Sequence, residues 1–363
     1  MFYHLLYPLK GVFFGFNVFR YITFRTVGAI VTAFLISIVI GPRIISILKK
    51  FNIGERVRTE EEVPGIYSAH KGKQGTPTMG GLIIISSVII STLLWARLDN
   101  RYILLTIFST IWLGVLGFCD DYVKLKSKKG PGLNKRMKFL GQIALGFIVG
   151  AFLFLDTNID SSIYVPFLKN LVFNAGIFYI LFVMVVITGA SNAVNLTDGL
   201  DGLAIGCMIM VALAYSVIGY AAGHVQISNY LFMQYIPGAG ELCVYCAALT
   251  GAGLGFLWFN SYPASVFMGD TGSLALGGGI GVVSCCVKKE TLLIIAGGIF
   301  VFEALSVMLQ VASFKIRRRR IFLCAPFHHH LQMRGWHESK IVVRFWIIAA
   351  ILSLFTMVSL KLY

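Results

Sequence analysis

The chain has 363 residues, of which 57% are hydrophobic and only 13% are charged, and its formal net charge is +15 at pH 7. Apolar runs of about 20 residues recur along its whole length, which excludes an ordinary soluble protein and indicates a polytopic helical membrane protein. Anionic lipid headgroups would attract so basic a chain, and an anionic substrate would gain from the same charge.

Ten apolar stretches long enough to cross a bilayer follow one another along the chain. We therefore predict an all-α polytopic membrane protein with ten transmembrane helices, folded as a single integral membrane domain over residues 1–363. Residues 1–24 predict an interfacial lead-in and not a cleavable signal. The predicted spans cover residues 25–47, 78–97, 102–119, 138–156, 172–191, 199–219, 242–259, 272–287, 291–313 and 342–361.

Basic residues are distributed unevenly over the nine loops between these spans. Loops 1, 3 and 9 contain 6, 7 and 7 Lys or Arg residues when Lys138, at the start of the fourth span, is counted with loop 3, whereas loops 5 and 7 contain none. Cytoplasmic loops carry the excess of Lys and Arg in membrane proteins. The odd-numbered loops are therefore predicted to be cytoplasmic, and both termini are predicted to be periplasmic.

The polar motifs of the chain all fall in or beside the odd-numbered loops. Topology alone would bring them to one membrane surface, which indicates a single active-site cleft open to the cytoplasm. In chain order they are Lys73 with Thr76 to Gly81 in loop 1, Asp120 and Asp121 at the start of loop 3, Asn192 to Ala204 around loop 5, Asp270 in loop 7, and His328 to His330 in loop 9.

The segment from Asn192 to Ala204 places four polar side chains between two apolar runs. Asn195, Asp198 and Asp201 are spaced by three residues, so they would lie near one face of a helix. Oxygen ligands and glycines in this pattern suit a divalent metal, a phosphate or a sugar. The structural alternative is that Asp198 caps a helix starting at Gly199, which would explain only one of the four.

Asp120, Asp121 and Asp270 are the candidates for a metal site. Adjacent carboxylates at a membrane boundary are costly through desolvation and repulsion, and a cation or lysines such as Lys124 and Lys138 would relieve that cost. Asp270 stands in a glycine-containing turn that lets a ligand approach closely. Oxygen ligands without cysteine favour Mg²⁺ or Mn²⁺ over Zn²⁺. The alternative for Asp120 and Asp121 is a solvated loop start.

Several other residues allow two interpretations. His328 to His330 suit phosphate contact and proton handling, or a structural role, and three consecutive histidines cannot easily bind one Zn²⁺. Phe267 could stack on an aromatic base or pack against lipid or core. Glu303, in the middle of the ninth span, must face the bundle interior or pair with a donor that the sequence does not name. We interpret Cys243 and Cys246 as packing residues, because no second pair or histidine accompanies them.

Together these residues indicate a Mg²⁺-assisted reaction of phosphate esters, and the lack of a Walker motif disfavours ATP hydrolysis. The chain resembles the MraY family, the phospho-N-acetylmuramoyl-pentapeptide transferases of the polyprenyl-phosphate N-acetylhexosamine-1-phosphate transferase superfamily. Cys119 and Thr271 are small variations beside motif acids. The resemblance covers nearly the whole chain and rests on Thr76 to Gly81, Gly117 to Tyr122, Asn192 to Ala204, Gly253 to Asn260, Phe267 to Asp270 and Ala325 to His330.

The resemblance implies a reaction and its partners. Phospho-MurNAc-pentapeptide would pass from UDP-MurNAc-pentapeptide to undecaprenyl phosphate, which gives lipid I and UMP in peptidoglycan biosynthesis. The family pattern further implies Mg²⁺ as cofactor, a homodimer, and a place in the bacterial cytoplasmic (inner) membrane. We expect no nucleic-acid partner.

Residue roles are implied in the same way, position by position. Asp270 matches the Mg²⁺ ligand, Asp120 the acid that deprotonates the lipid phosphate, and Asp121 its partner near metal and phosphates. The other matches are Lys124 and Lys138 near the lipid-phosphate or diphosphate path, Lys73, Asp201, Asn260 and Phe267 around the uridine, Thr78, Asn195 and Asp198 around the nucleoside diphosphate, and His328 and His329 in the loop that closes over the phosphates.

Two mechanisms and two other function classes stay open at this point. Either the lipid phosphate attacks directly, or an aspartate first forms a phospho-enzyme. A related transferase could use UDP-GlcNAc, although the triple histidine and the context of Asp270 favour the MurNAc-pentapeptide enzyme. A transporter or channel would be expected to place ionisable groups near mid-membrane, where Glu303 is the one clear acid.

Overall fold

The computed structural model describes residues 1–50, 75–126, 132–165 and 172–361. Lys73 lies outside these residues. Within the described residues, three short 3₁₀ helices cover Tyr7–Gly11, Phe14–Arg20 and Ala239–Glu241. In chain order the α-helices are α1 (Phe2–Leu6), α2 (Ile22–Lys50), α3 (Gly81–Trp95), α4 (Arg101–Lys126), α5 (Lys135–Leu155), α6 (Phe178–Thr197), α7 (Leu203–Ala222), α8 (Val225–Tyr230), α9 (Leu242–Asn260), α10 (Gly269–Cys286), α11 (Leu293–Ala296), α12 (Gly298–Arg317), α13 (Phe327–Met333) and α14 (Glu338–Ser359).

Eight helices in the described part of the chain are long and apolar enough to cross a membrane. They are α2, α4, α5, α6, α7, α9, α12 and α14. The prediction of a polytopic helical membrane protein is therefore confirmed. The second predicted span corresponds to α3, an apolar helix of 15 residues. The eighth corresponds to the glycine-rich α10, which is not among the eight.

The helices run past several predicted span ends, and this moves three motifs out of loops. α4 continues to Lys126, so Asp120 and Asp121 lie inside the helix and do not open a loop. Asp270 lies in the first turn of α10, and the three histidines lie in α13. Hydropathy ends a span at the first charges, whereas lysines near a helix C-terminus, such as Lys124, favour its continuation.

A two-stranded antiparallel sheet was not predicted and amends the all-α assignment. β1 (Ser162–Tyr164) pairs with β2 (Val172–Asn174), with Ile163 opposite Phe173. The fifth predicted span was placed from residue 172, but α6 begins only at Phe178. The apolar residues of β2 resemble the start of a helix in hydropathy, and a short apolar run does not distinguish the two.

The core of the bundle is built around α10, which is buried from Thr271 to Cys286 and packs against α4 and α6. Small residues permit this close packing, as in other membrane helix interfaces. A Cβ added at Gly277 would lie 2.5 Å from the carbonyl oxygen of Ala190 on α6. A second close contact joins α9 to α2, where a Cβ at Gly251 would lie 2.1 Å from the carbonyl oxygen of Ile30.

A buried ion pair ties the helices together at the end where α2, α4 and α9 begin. The guanidinium of Arg25 donates from both terminal nitrogens to Glu241, each at 2.6 Å. The backbone N–H of Arg97 donates to the same carboxylate at 3.1 Å. Both charged groups of the pair are almost completely buried. Asp120 and Asp121 lie at the opposite end of α4.

Candidate active site

Three aspartates from two helices converge at the junction of α4 and α10. Oxygen atoms of Asp120, Asp121 and Asp270 all lie within 4.8 Å of one another. The convergence depends on Gly117, one turn before Asp120, because a Cβ there would lie 2.2 Å from the carbonyl oxygen of Asp270. Only glycine lets the two helices approach so closely at this point.

Two lysines neutralise this cluster of carboxylates. The ammonium of Lys124 lies 2.5 Å from Asp120, 2.9 Å from Asp270 and 3.8 Å from Asp121. The ammonium of Lys138, in the first turn of α5, lies 2.6 Å from Asp270. Like-charged carboxylates this close are stable only with cations beside them. Lys124 is half-exposed at 44%, so it can move without unfolding the site.

Asp121 uses its carboxylate to hold the start of α10. It accepts hydrogen bonds from the backbone N–H of Asp270 at 3.2 Å and of Thr271 at 2.9 Å, and from the Thr271 hydroxyl at 2.7 Å. A carboxylate at a helix N-terminus satisfies unpaired amides and meets the positive end of the helix dipole. Asp121 therefore positions Asp270, and Thr271 is part of that arrangement.

Asn195 on α6 reaches the same cluster from another side. Its Nδ2 donates to Oδ1 of Asp270 and to Oγ of Ser273, both at 2.8 Å. Asn192, one turn earlier, instead donates to Gln142 on α5 at 2.9 Å. The two asparagines of one sequence motif thus serve different parts of the structure.

Thr78 and Phe267 lie in two segments that pair beside the cluster. The N–H of Phe267 donates to the Pro77 carbonyl, and the N–H of Gly80 donates to the Phe267 carbonyl, both at 2.8 Å. A Cβ built on Gly269 would lie 2.9 Å from the Thr78 hydroxyl, so Thr78 adjoins the turn before Asp270. The side chain of Phe267 is half-buried.

The turn between α6 and α7 holds Asp198 and Asp201. Asp198 occupies the C-cap of α6, and α7 begins at Leu203 after Gly202, so the interpretation of Asp198 as a cap for the following helix is wrong. Asp201 accepts a hydrogen bond from the Ala264 N–H at 3.0 Å. Asn260 accepts from the Gly202 N–H at 3.0 Å. Loops 5 and 7 are thereby joined.

The three consecutive histidines have three different environments. The His328 ring is fully buried, and its Nε2 faces Gly199, where a Cβ would lie 2.3 Å away. Nδ1 of His330 accepts from the Leu323 N–H at 3.1 Å and braces the preceding loop. His329 is half-buried, and its Nδ1 lies 2.8 Å from Oε1 of Gln332. Only His329 of the three offers exposed ring surface to a ligand.

The donor set of the aspartate cluster fits a hard divalent cation. Mg²⁺ usually binds one or two carboxylates and completes its coordination with water and phosphate oxygens. Asp270 and Asp120 offer such oxygens at the edge of the cluster, while Asp121 is engaged by the amides of α10. The lysines next to them would serve an anionic phosphate equally well.

Comparison with known proteins matches residues 103–288 to the glycosyl transferase family 4 model and residues 73–85 to the phospho-N-acetylmuramoyl-pentapeptide-transferase signature 1. Proteins named phospho-N-acetylmuramoyl-pentapeptide-transferase from Desulfotalea psychrophila and Pelobacter propionicus are 53% and 51% identical over the full length of both chains. The chain belongs to this transferase family. A further member from Endomicrobium trichonymphae is 50% identical over 99% of each chain.

Membership in the phospho-N-acetylmuramoyl-pentapeptide-transferase family confirms the resemblance that the motifs indicate. The signature includes Lys73 and Thr78, of which the structure describes Thr78. Sequence reasoning did not assign roles to Ser273, Gln142 or Glu338, whose carboxylate accepts a hydrogen bond from the Asp201 N–H at 2.7 Å, and it dismissed Thr271. Thr271 and Ser273 both follow Asp270 within one helical turn, so their proximity to this candidate ligand was the available signal.

Proposed function

We propose that this membrane protein transfers phospho-MurNAc-pentapeptide from UDP-MurNAc-pentapeptide to undecaprenyl phosphate, with UMP as the leaving group and lipid I as the product. The observation that supports this reaction is the cluster of Asp120, Asp121 and Asp270 with two lysines. Phosphoryl transfer needs charge neutralisation and positioning more than it needs covalent chemistry by the protein. The cluster supplies both at the end of a membrane helix.

Asp270 is the proposed ligand of Mg²⁺, and Asn195 and Asp121 hold it in place. Bound Mg²⁺ would neutralise the diphosphate and polarise the bond that breaks. Lys138 and Lys124 contribute positive charge on the adjacent side, where the incoming lipid phosphate would lie. Lys124 contacts all three aspartates and would exchange part of those contacts for phosphate oxygens.

Asp120 is the residue proposed to meet the lipid phosphate. A phosphate monoester has a second pKa of about 6, so much of the nucleophile is already dianionic at neutral pH. The carboxylate therefore contributes more by orienting the attacking oxygen than by removing a proton. We propose direct in-line attack. Phospho-aspartate formed on mixing the enzyme with the UDP-linked substrate alone would refute it.

The nucleotide is proposed to lie along the surface formed by loops 1, 5 and 7. Lys73, Asp201, Asn260 and Phe267 would hold the uridine, with the half-buried Phe267 ring stacked on uracil. Thr78, Asn195 and Asp198 would line the diphosphate. His329 would close over the phosphates. The buried His328 would support the position of His329 without touching substrate.

The proposal extends to the arrangement in the membrane. The chain forms one integral membrane domain over residues 1–363, with α3 and α10 completing ten transmembrane helices. Both termini are periplasmic and the cleft opens to the cytoplasm, as the excess of Lys and Arg in loops 1, 3 and 9 supports. The protein is a homodimer of the bacterial cytoplasmic (inner) membrane.

The decisive experiment is UMP release by the purified protein given UDP-MurNAc-pentapeptide, undecaprenyl phosphate and Mg²⁺. We expect release that requires all three. A parallel reaction with UDP-GlcNAc separates the related transferases, because we expect no product from that sugar nucleotide. If UDP-GlcNAc gives UMP and UDP-MurNAc-pentapeptide does not, the substrate assignment is overturned. If neither sugar nucleotide gives UMP, the proposed function is overturned.

A further inference from the structure

Glu303 is a fully buried acid in the interior of α12, far along the chain from the aspartate cluster. An ionisable group at such a position is costly unless donors surround it. Its carboxylate accepts hydrogen bonds from the backbone N–H of Phe327 at 2.6 Å and of His328 at 3.1 Å. The donors that the sequence left unnamed are therefore the first amides of the histidine-containing helix α13.

The His328 ring is held between this carboxylate and the turn that follows α6. Its Nδ1 lies 3.3 Å from Oε2 of Glu303, and its Nε2 faces Gly199. Neither ring nitrogen of His328 makes a hydrogen bond to a described residue, so the buried ring supports the turn by packing between Glu303 and Gly199. Gly199 adjoins Asp198 and lies two residues before Asp201, and α12 also packs against α6.

We propose that Glu303 is a positioning residue for nucleotide binding. It acts through His328, which packs against the Asp198–Asp201 turn, and it does not contact substrate itself. The inference rests on the proposed function, because that function assigns the turn to the UDP-linked substrate. A misplacement of about 1 Å in such a support can cost two orders of magnitude in function.

The test measures the dissociation constant of UDP-MurNAc-pentapeptide by calorimetry on the full-length protein, without lipid acceptor. Glu303→Gln replaces one of two accepting oxygens, and we expect affinity to fall about tenfold. Gly199→Ala displaces the same ring from its other side, because the added Cβ would lie 2.3 Å from Nε2. We expect a similar loss from that variant, which keeps the Glu303 carboxylate intact.

The matched control is Ser306→Ala, one turn further along α12. Ser306 is also buried, and its hydroxyl donates to the backbone carbonyl of Glu303, not to the carboxylate that accepts the amides of α13. This variant should bind substrate like the unmodified protein even if it is less heat-stable. An equal loss of affinity in Ser306→Ala would reduce the role of Glu303 to general packing and overturn the proposal.

A double-variant cycle distinguishes positioning through His328 from an independent effect. If Glu303 acts through the ring, Glu303→Gln adds no further loss of affinity to His328→Ala, because contacting residues are not additive. If the affinity losses of Glu303→Gln and His328→Ala multiply in the double variant, the inference is refuted. If Glu303→Gln does not fold, normal affinity in Gly199→Ala would still refute it. Failure of the unmodified protein to bind the substrate would instead refute the proposed function.

Discussion

The side-chain amide of Asn195 on α6 donates a 2.8 Å hydrogen bond to Oδ1 of Asp270 on α10. The other oxygen of Asp270 faces the ammonium groups of Lys124 and Lys138. The carboxylate is thus fixed from one side by a neutral donor and attracted from the other by two cations. The hydrogen bond from Asn195 therefore orients the carboxylate that the two cations attract.

Asn195→Ala should lower turnover about 10- to 100-fold, the usual cost of losing a partner that orients a metal ligand. Steady-state UMP release measures it. Asn192→Ala is the matched control, since Asn192 bonds Gln142 and not the aspartate cluster, and it should stay near the unmodified rate. Equal losses in both variants would mean that Asn195 serves only to pack α6.

Asp270→Asn should abolish Mg²⁺-dependent UMP release while the protein still inserts and folds. The amide keeps the shape of the side chain but removes the negative charge that Lys124, Lys138 and the metal share. Rates measured across a Mg²⁺ titration, with gel filtration of the same sample, check this. Asp99→Asn is the control, because Asp99 is an exposed acid paired with Arg97. Turnover retained in Asp270→Asn would refute the metal assignment.

The sequence was sufficient for the main features of the fold and for the identity of the clustered acids. Hydropathy predicts the eight described helices that are long and apolar enough to cross a membrane, and Asp120, Asp121 and Asp270 come together as expected for a single site. It could not show that Asp121 accepts the amides of α10 or that His328 is buried, because both depend on where a helix begins. Nor could it predict the β1–β2 pairing, since a three-residue apolar strand has too little periodicity.

Breaking the ion pair between Arg25 and Glu241 should destabilise the bundle strongly. Arg25→Met leaves a buried carboxylate with one fewer cation, which costs about 3–5 kcal/mol of the free energy of unfolding. The double variant Arg25→Met with Glu241→Gln removes the uncompensated charge and should be more stable than Arg25→Met alone. Thermal unfolding in detergent, followed by tryptophan fluorescence, would show it. A double variant no more stable than Arg25→Met would contradict this account.

Stability should rise in alkaline solution through Lys289, which lies between α10 and α11. Burial is the largest cause that lowers its pKa from 10.5 to about 8, and Lys288 lowers it further while Glu290 opposes the shift. Below pH 8 the lysine is charged in both the folded and the unfolded protein, so folding bears the full cost of burying its charge. Between pH 8 and 10.5 the lysine has lost its proton in the folded protein but keeps it in the unfolded protein. The free energy of unfolding therefore rises by up to ~1.4 kcal/mol per pH unit in this range.

Lys289→Met should therefore be more stable than the unmodified protein at neutral pH and should flatten the stability profile between pH 8 and 10.5. Unfolding midpoints at several pH values, with both proteins in the same detergent, supply the comparison. Parallel profiles for the two proteins would show that another group causes the pH dependence.

The start of α10 has a consequence for inhibitors. Helix N-termini commonly bind phosphate through free backbone amides. Here the amides of Asp270 and Thr271 already donate to Asp121. A neutral phosphate mimic designed to accept hydrogen bonds from backbone amides could not use these two N–H groups, because the Asp121 carboxylate already accepts from them. Compounds that instead offer an anion to the lysines, or oxygen atoms to a metal, would match the chemistry that this end of the helix leaves available.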